Sequence, residues 1–284
     1  MVNLARAEWK IYCYRYHFRI NICFHIIQFI WLLERKIMDI LNKLLGTLPL
    51  EPIPVRKIVI GVHWTLVCSK YCGLGSTLVA CGQHGHSFMK DVGALHQKSA
   101  QELAHWVLSE NLLEASVGIA ALNSLISVDE NQLEHVNAAD VIACESKDKN
   151  LVVVGHFPFV ERVKIITRNC WVIEKRPFGD DFPEEASQKF IPQADVIAIT
   201  GTAFINHSMT GLLSLCRPGA MIMVLGPSTP LSPLLYEYGM SFLSGSRITD
   251  EDAAATTIQQ GAAFPQVKGV LLVTMSKGGR SNGI

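Results

Sequence analysis

Apolar residues recur at three- and four-residue intervals where the main body of the chain begins: Ile37, Ile40, Leu41, Leu44, Leu45 and Leu48. This spacing predicts an amphipathic helix. Pro49, Pro52 and Pro54 close it, because proline cannot continue a helical hydrogen-bond ladder. The period then changes. Residues 57–67 (KIVIGVHWTLV) are β-branched and aromatic and predict a strand. Gly73 and Gly75 predict a turn, 76–80 its hairpin partner, and Gly82, Gly85 and Gly93 a loop. Ser99 and Glu102 have capping-box spacing, with Leu103, Trp106 and Val107 as the apolar face of the helix they start. Asn111 and Glu114 give a second cap signal. The helix behind them carries a small-residue face of Ala115, Gly118, Ala121 and Leu122. Residues 38–135 thus read as an α+β unit.

From about residue 136 short, wholly apolar runs alternate with helical patterns. Strands are predicted at 151–154, 163–167, 170–174, 195–200, 220–225 and 270–273. Ile205, Met209, Leu212, Leu213 and Cys216 share one helical face, and 250–260 predicts another helix. Alternation of this kind implies βαβ units and a mostly parallel sheet, so the fold class from about 136 onward is α/β. Residues 277–284 read as a flexible tail.

Composition narrows the function. The 284 residues carry 25 basic and 25 acidic side chains and are 49% hydrophobic. No basic excess marks a nucleic-acid binder, and the chain is too apolar for disorder. Eight cysteines at irregular spacing do not form a secreted disulfide framework, which points to a reducing, cytoplasmic compartment. Residues 1–37 differ from the rest: six basic residues against two acidic ones, with Trp9, Tyr12, Tyr14, Tyr16 and Trp31 among many aromatics. The apolar run at 20–33 is too short to span a bilayer. The segment reads as an extension ahead of the domain, with Met38 as the working start; an interfacial membrane-binding helix is the alternative.

In an open parallel sheet, ligands bind beyond the carboxyl ends of the strands. Four predicted strand ends carry suitable residues: Gly155 and His156, Glu174, Thr200–Gly201–Thr202, and Gly226–Ser228–Thr229. Glu174 stands where Rossmann folds hold a ribose, yet GHFPF at 155–159 is not GxGxxG. NAD is therefore disfavoured, while a nucleoside or a pterin-like ring stays open. His156 suits proton transfer near neutral pH. Thr200, Thr202 and Asn206 sit at an expected helix start, either binding an anion or capping. Asp180 and Asp181 could reach the cleft or bind a metal, or simply cap the helix expected near Pro183. Cys68, Cys72, Cys81, His84 and His86 form C-x3-C-x8-C-x2-H-x-H, donors that suit zinc or a softer metal but match no standard zinc knuckle; free thiols are the simpler reading.

Five strings carry a resemblance: GVHWTLV at 61–67, SENLLEASVGIAALNS at 109–124, GHFPF at 155–159, PQADVIAITG at 192–201 and GPSTPLSP at 226–233. In this order they resemble the DUF364 family, named for heavy-metal chelation and preceded by a DUF4213 domain. The resemblance covers about 38–276. It implies an enolase N-terminal-like domain over 38–135 followed by a Rossmann-like domain over 136–276 that is similar to methyltransferases, with a site between them. It also implies condensation or hydrolysis of pterin-, flavin- or siderophore-like compounds, and a link to metal homeostasis. The matching positions are Asn111, Glu114, Asn123, Gly155, His156, Pro158, Thr200, Gly201, Gly226, Ser228 and Thr229. Three functions are therefore expected: a small-molecule enzyme with His156 and Glu114 catalytic, a non-catalytic binder of metal or metal chelate, or an interaction protein recruited by its basic arm. The oligomeric state is open, a homo-oligomer included.

Overall fold

The computed structural model describes residues 40–79 and 88–278. The extension at 1–37, Cys81, His84, His86 and most of the expected tail lie outside the described residues. The expected first helix is present at 40–46 (α1), with Ile40, Leu41, Leu44 and Leu45 buried.

The region expected to be one strand is two. β1 (Lys57–Ile60) and β2 (Trp64–Cys68) pair antiparallel around a tight turn at 61–63. β3 (Cys72–Ser76) then pairs with β2, so the hairpin turn falls at 69–71. Gly73 and Gly75 are therefore strand residues, not turn residues. Their role is space. A Cβ on Gly73 would lie 2.2 Å from the Ala120 carbonyl oxygen of α3 (Leu112–Leu125). α3 is buried almost all round, as expected of a helix enclosed by other elements. On its other side Gly118 meets the chain after α2 (Ala100–Ala104): a Cβ there would lie 2.0 Å from the Val107 nitrogen. The Ser99–Glu102 capping box forms as the sequence predicts. Asn111 caps α3, but Glu114 does not reach back to it.

The second sheet is large and mostly parallel. α4 (Ala138–Ser146) leads into β4 (Asn150–Val154), α5 (Val160–Lys164) and β5 (Asn169–Glu174). The strand expected at 163–167 is absent: Val163 is the buried face of α5. A two-residue β6 (Phe182–Pro183) and α6 (Ser187–Phe190) precede β7 (Val196–Thr200). Two short helices, α7 (Thr202–Ile205) and α8 (Met209–Leu215), replace the single one expected. Asn206 ends α7 instead of starting a helix. β8 (Met221–Leu225), β9 (Phe242–Ile248), α9 (Glu251–Gln259) and β10 (Val270–Ser276) complete the chain.

The strand order is β10-β9-β8-β7-β4-β5-β6, with only β10 antiparallel. The chain moves outward one way through β4, β5 and β6, then returns to add β7, β8 and β9 on the other side. The order therefore reverses between β4 and β7, where connections leave to opposite faces and open a crevice. One apolar cluster unites the two sheets' units: Leu122 and Leu125 of α3 belong to it together with Phe204, Val224 and Leu243. No helix among the described residues is long and apolar enough to cross a membrane.

Candidate functional site

At the β4/β7 crevice lies a cavity of about 260 Å³, bordered by Gly155, His156, Glu174, Ser187, Thr200 and Thr202. Gly155 turns the chain out of β4 with φ +101°, a conformation that glycine adopts without steric cost. Its N–H donates to the Ile173 carbonyl at 2.9 Å, keeping the turn against β5. Glu174, at the end of β5, accepts from the His156 N–H (3.1 Å) through one oxygen and from the Lys175 N–H (2.9 Å) through the other. The carboxylate thus fixes the β4 turn. It was expected to be free for a ligand; it has a structural duty as well, though each oxygen retains a further lone pair.

The His156 ring faces Asp181 at 2.9 Å from Nδ1. A carboxylate accepts, so Nδ1 carries the proton and Nε2 is left as the basic nitrogen. The imidazole side chain is 51% exposed while that of Asp181 is only 4% exposed, so the orienting group is buried and the working one accessible. The Phe178 N–H also donates to Asp181 (3.3 Å). Thr200 and Thr202 place their hydroxyls 3.0 Å apart. Asn206 is occupied locally, accepting from the Ser208 N–H and hydroxyl. Ser187 Oγ is buried with no protein partner among the described residues, a polar atom left over at the cavity wall.

The remaining expected positions separate from this cavity. Ser228 joins the two units: it accepts from the Ser76 N–H at 2.8 Å, and Asn123 donates to the Leu74 carbonyl (3.0 Å) and to the Ser228 carbonyl (3.4 Å). Gly201 lets the turn after β7 lie on the 226–229 turn, since a Cβ there would be 2.8 Å from the Thr229 nitrogen. Asn123 and Thr229 border a second cavity, about 240 Å³, between the β2–β3 hairpin and the β9–α9 corner, with Arg56, Tyr71, Cys72 and Glu251. Among the described residues, Asn123 Oδ1 and Thr229 Oγ1 have no hydrogen-bond partner there. Pro158 adjoins the first cavity's lining without being part of it, and Gly226 lines neither cavity.

Glu114 and Asn111 border neither cavity. Glu114 is buried, accepting from the Ser109 hydroxyl (2.7 Å) and the Lys90 N–H (3.1 Å), with the Lys90 ammonium at 3.2 Å. Burial alone would raise its pKa; these donors and the Lys90 charge outweigh it and hold the carboxyl below its ordinary value.

Cys68 and Cys72 stand opposite each other in the hairpin and are joined as a disulfide, which corrects the expectation of free thiols at these positions. Glu251, the first residue of α9, lies beside them: Cys72 Sγ is 3.4 Å from Glu251 Oε2. Among the described residues these three form the group whose donor atoms all lie within 4.8 Å of one another. Burial pushes the Cys170 thiol up to about 11 and the Cys216 thiol to about 12, so both are inert. Sequence reasoning missed Glu251, Arg56, Tyr71 and Ser187. Nothing in their local pattern distinguishes them from ordinary cap, edge and helix residues.

The DUF364 family, described as "Putative heavy-metal chelation", matches residues 137–276, and DUF4213, described in the same words, matches 42–126. The chain belongs to the DUF364 family. Two crystal structures of DUF364 proteins of unknown function share the fold. That from Desulfitobacterium hafniense is 25% identical with a TM-score of 0.72, covering 86% of this chain and 100% of its own. That from Pyrococcus horikoshii is 18% identical, also at 0.72, covering 84% and 99%. The Methanocaldococcus jannaschii protein MJ0500, which carries the name "uncharacterized", is 23% identical over 207 residues, 70% of this chain and 79% of its own length. A metal implied by the family description finds a fitting donor set in this DUF364 protein at Cys68, Cys72 and Glu251 once the cysteines are reduced.

Proposed function

We propose that this DUF364 protein is an enzyme acting on a small heterocyclic or nucleoside-like molecule held at the β4/β7 strand ends. The observation that carries the reading is the His156–Asp181 pair, a buried carboxylate orienting an accessible imidazole at the reversal point of a parallel sheet. There His156 Nε2 takes a proton from an attacking water or hydroxyl and returns it to the leaving group. That is the proton traffic of hydrolysis and, in reverse, of condensation. Glu174 accepts from a ligand hydroxyl or ring N–H with the lone pairs its two backbone contacts leave. Thr200, Thr202 and the unpartnered Ser187 hydroxyl supply further polar contacts. Pterins, flavins and nucleosides match this donor and acceptor pattern.

The test combines native mass spectrometry of the purified protein with thermal melts against pterins, flavins and nucleosides. One of these classes should raise the melting temperature of the wild type. His156→Asn should bind the same ligand without turning it over. A ligand that stabilises Glu174→Gln as much as the wild type would remove the proposed contact, and no stabilisation by any class would remove the reading.

A further inference from the structure

We infer that the β2–β3 hairpin and the start of α9 form a thiol-gated site for a thiophilic divalent cation, with Cys68, Cys72 and Glu251 as its ligands. The inference does not rest on the strand-end reading, because none of these residues borders that cavity. Three observations carry it. First, beyond the sulfur–sulfur bond itself, a Glu251 oxygen lies 3.4 Å from Cys72 Sγ and a Glu251 carboxylate oxygen lies within 4.8 Å of both sulfurs, although Glu251 is 179 residues from Cys72 in the chain. Thiolate and carboxylate ligands sit roughly 2.0–2.3 Å from zinc, so donors this close can surround one ion after small side-chain rotations. Second, the charges balance. Two thiolates and a carboxylate carry three negative charges; a divalent cation neutralises two and Arg56 the third, while Lys57, which also reaches Glu251 at 3.4 Å, is balanced by its own ion pair with Asp252. Arg56 is held at the spot by its Nε bond to the Ser69 carbonyl (2.8 Å), with Nη1 2.5 Å from Glu251. Third, Cys72 and Glu251 border the inter-unit cavity while Cys68 is fully buried. Three protein ligands with a fourth position facing a cavity is the arrangement of an open metal site. Asn123 Oδ1 and Thr229 Oγ1, without a hydrogen-bond partner among the described residues, belong to residues that border the same cavity and offer acceptors to a metal-bound water or chelator.

In the oxidised form the sulfurs are bonded to each other and the site is closed. A cellular dithiol opens it: two electrons and two protons pass to the protein disulfide, giving two thiols, while the dithiol becomes a cyclic disulfide. The incoming cation then displaces both thiol protons to solvent. Two sulfur ligands of three favour zinc or cadmium over magnesium or calcium.

Cadmium is the probe, because its thiolate charge-transfer absorption reports sulfur ligation directly. The full-length protein is titrated in two forms, oxidised and dithiol-reduced with the reductant removed under nitrogen. The reduced protein should bind cadmium with this absorption and the oxidised protein should lack the site. Cys72→Ser should abolish the absorption of the reduced form. Glu251→Gln, which keeps the side-chain shape and leaves the Asp250 cap intact, should weaken cadmium binding by at least about tenfold, since even outer-shell metal partners cost that much. Equal binding by the oxidised protein, or an affinity that Glu251→Gln leaves unchanged, overturns the proposal.

Discussion

Two glutamates, Glu114 and Glu174, were both singled out by position in the sequence, and the structure gives them opposite circumstances. Glu114 lies inside the α3 sandwich, 6% exposed, where a hydroxyl, a backbone N–H and an ammonium saturate it. Glu174 lies at the sheet's reversal point, half-buried, held by two backbone N–H groups and still facing a cavity. The glycines of the two regions divide in the same way. Gly73 and Gly118 are there because α3 touches its neighbours backbone to backbone. Gly155 is there because the chain must turn with positive φ. A carboxylate saturated by a hydroxyl, a backbone N–H and an ammonium, as Glu114 is, belongs to the core. One held by two backbone N–H groups alone, one from the β4 turn and one from its own strand end, keeps capacity for something else.

The largest loss of stability is expected at α3. Gly118→Leu should cost at least about 3 kcal/mol, the upper end for overpacking, because its Cβ alone would lie 2.0 Å from the Val107 nitrogen. Urea denaturation midpoints measure this, and a near-wild-type midpoint would mean that α3 is not enclosed as described.

Next is Glu114→Gln. At neutral pH it should destabilise by about 1–3 kcal/mol, the cost of leaving buried donors poorly satisfied. The sign with pH follows from the lowered pKa. The stabilisation is fully present above the ordinary carboxylate value and is lost as pH falls through the lowered one. The gap between wild type and Glu114→Gln should therefore close on acidification, as measured by denaturation at a series of pH values. A gap that stays constant would show that Glu114 acts by shape alone.

Glu174→Gln should cost less, about 0.5–1.5 kcal/mol, since one backbone N–H loses its acceptor while the other keeps it. Thermal melts without ligand test this. A loss as large as that of Glu114→Gln would make Glu174 a core residue and erase the contrast.

The smallest expected effect is at His156. His156→Asn keeps a side-chain N–H for Asp181 and removes Nε2, so stability should stay within about 0.5 kcal/mol, as for an exposed site. Turnover of a bound ligand should be lost. Stability and turnover falling together would point to a structural histidine.

Local pattern encodes the apolar strand cores at β4, β7 and β8, the Ser99–Glu102 and Asn111 caps, and the residues that follow β4, β5, β7 and β8. These depend on neighbours a few positions away, so periodicity and cap chemistry encode them. The other features depend on which distant segments pack together. Gly73 and Gly75 looked like turn residues because nothing local announces a helix backbone lying against them. β9 was not legible because Ser244, Gly245 and Ser246 break the β-rich pattern. The strand exists because β8 and β10 pair with it and because Gly245 admits the Leu231 side chain, 3.0 Å from where a Cβ would stand. The expected single cleft became two cavities because the order β7-β4-β5 puts Gly155 beside Thr200, while Ser228 and Thr229 turn toward the hairpin. The meeting of Cys72 with Glu251 across 179 residues was likewise invisible, since such contacts are set by how crossovers fold back and not by any property of the residues' own neighbours.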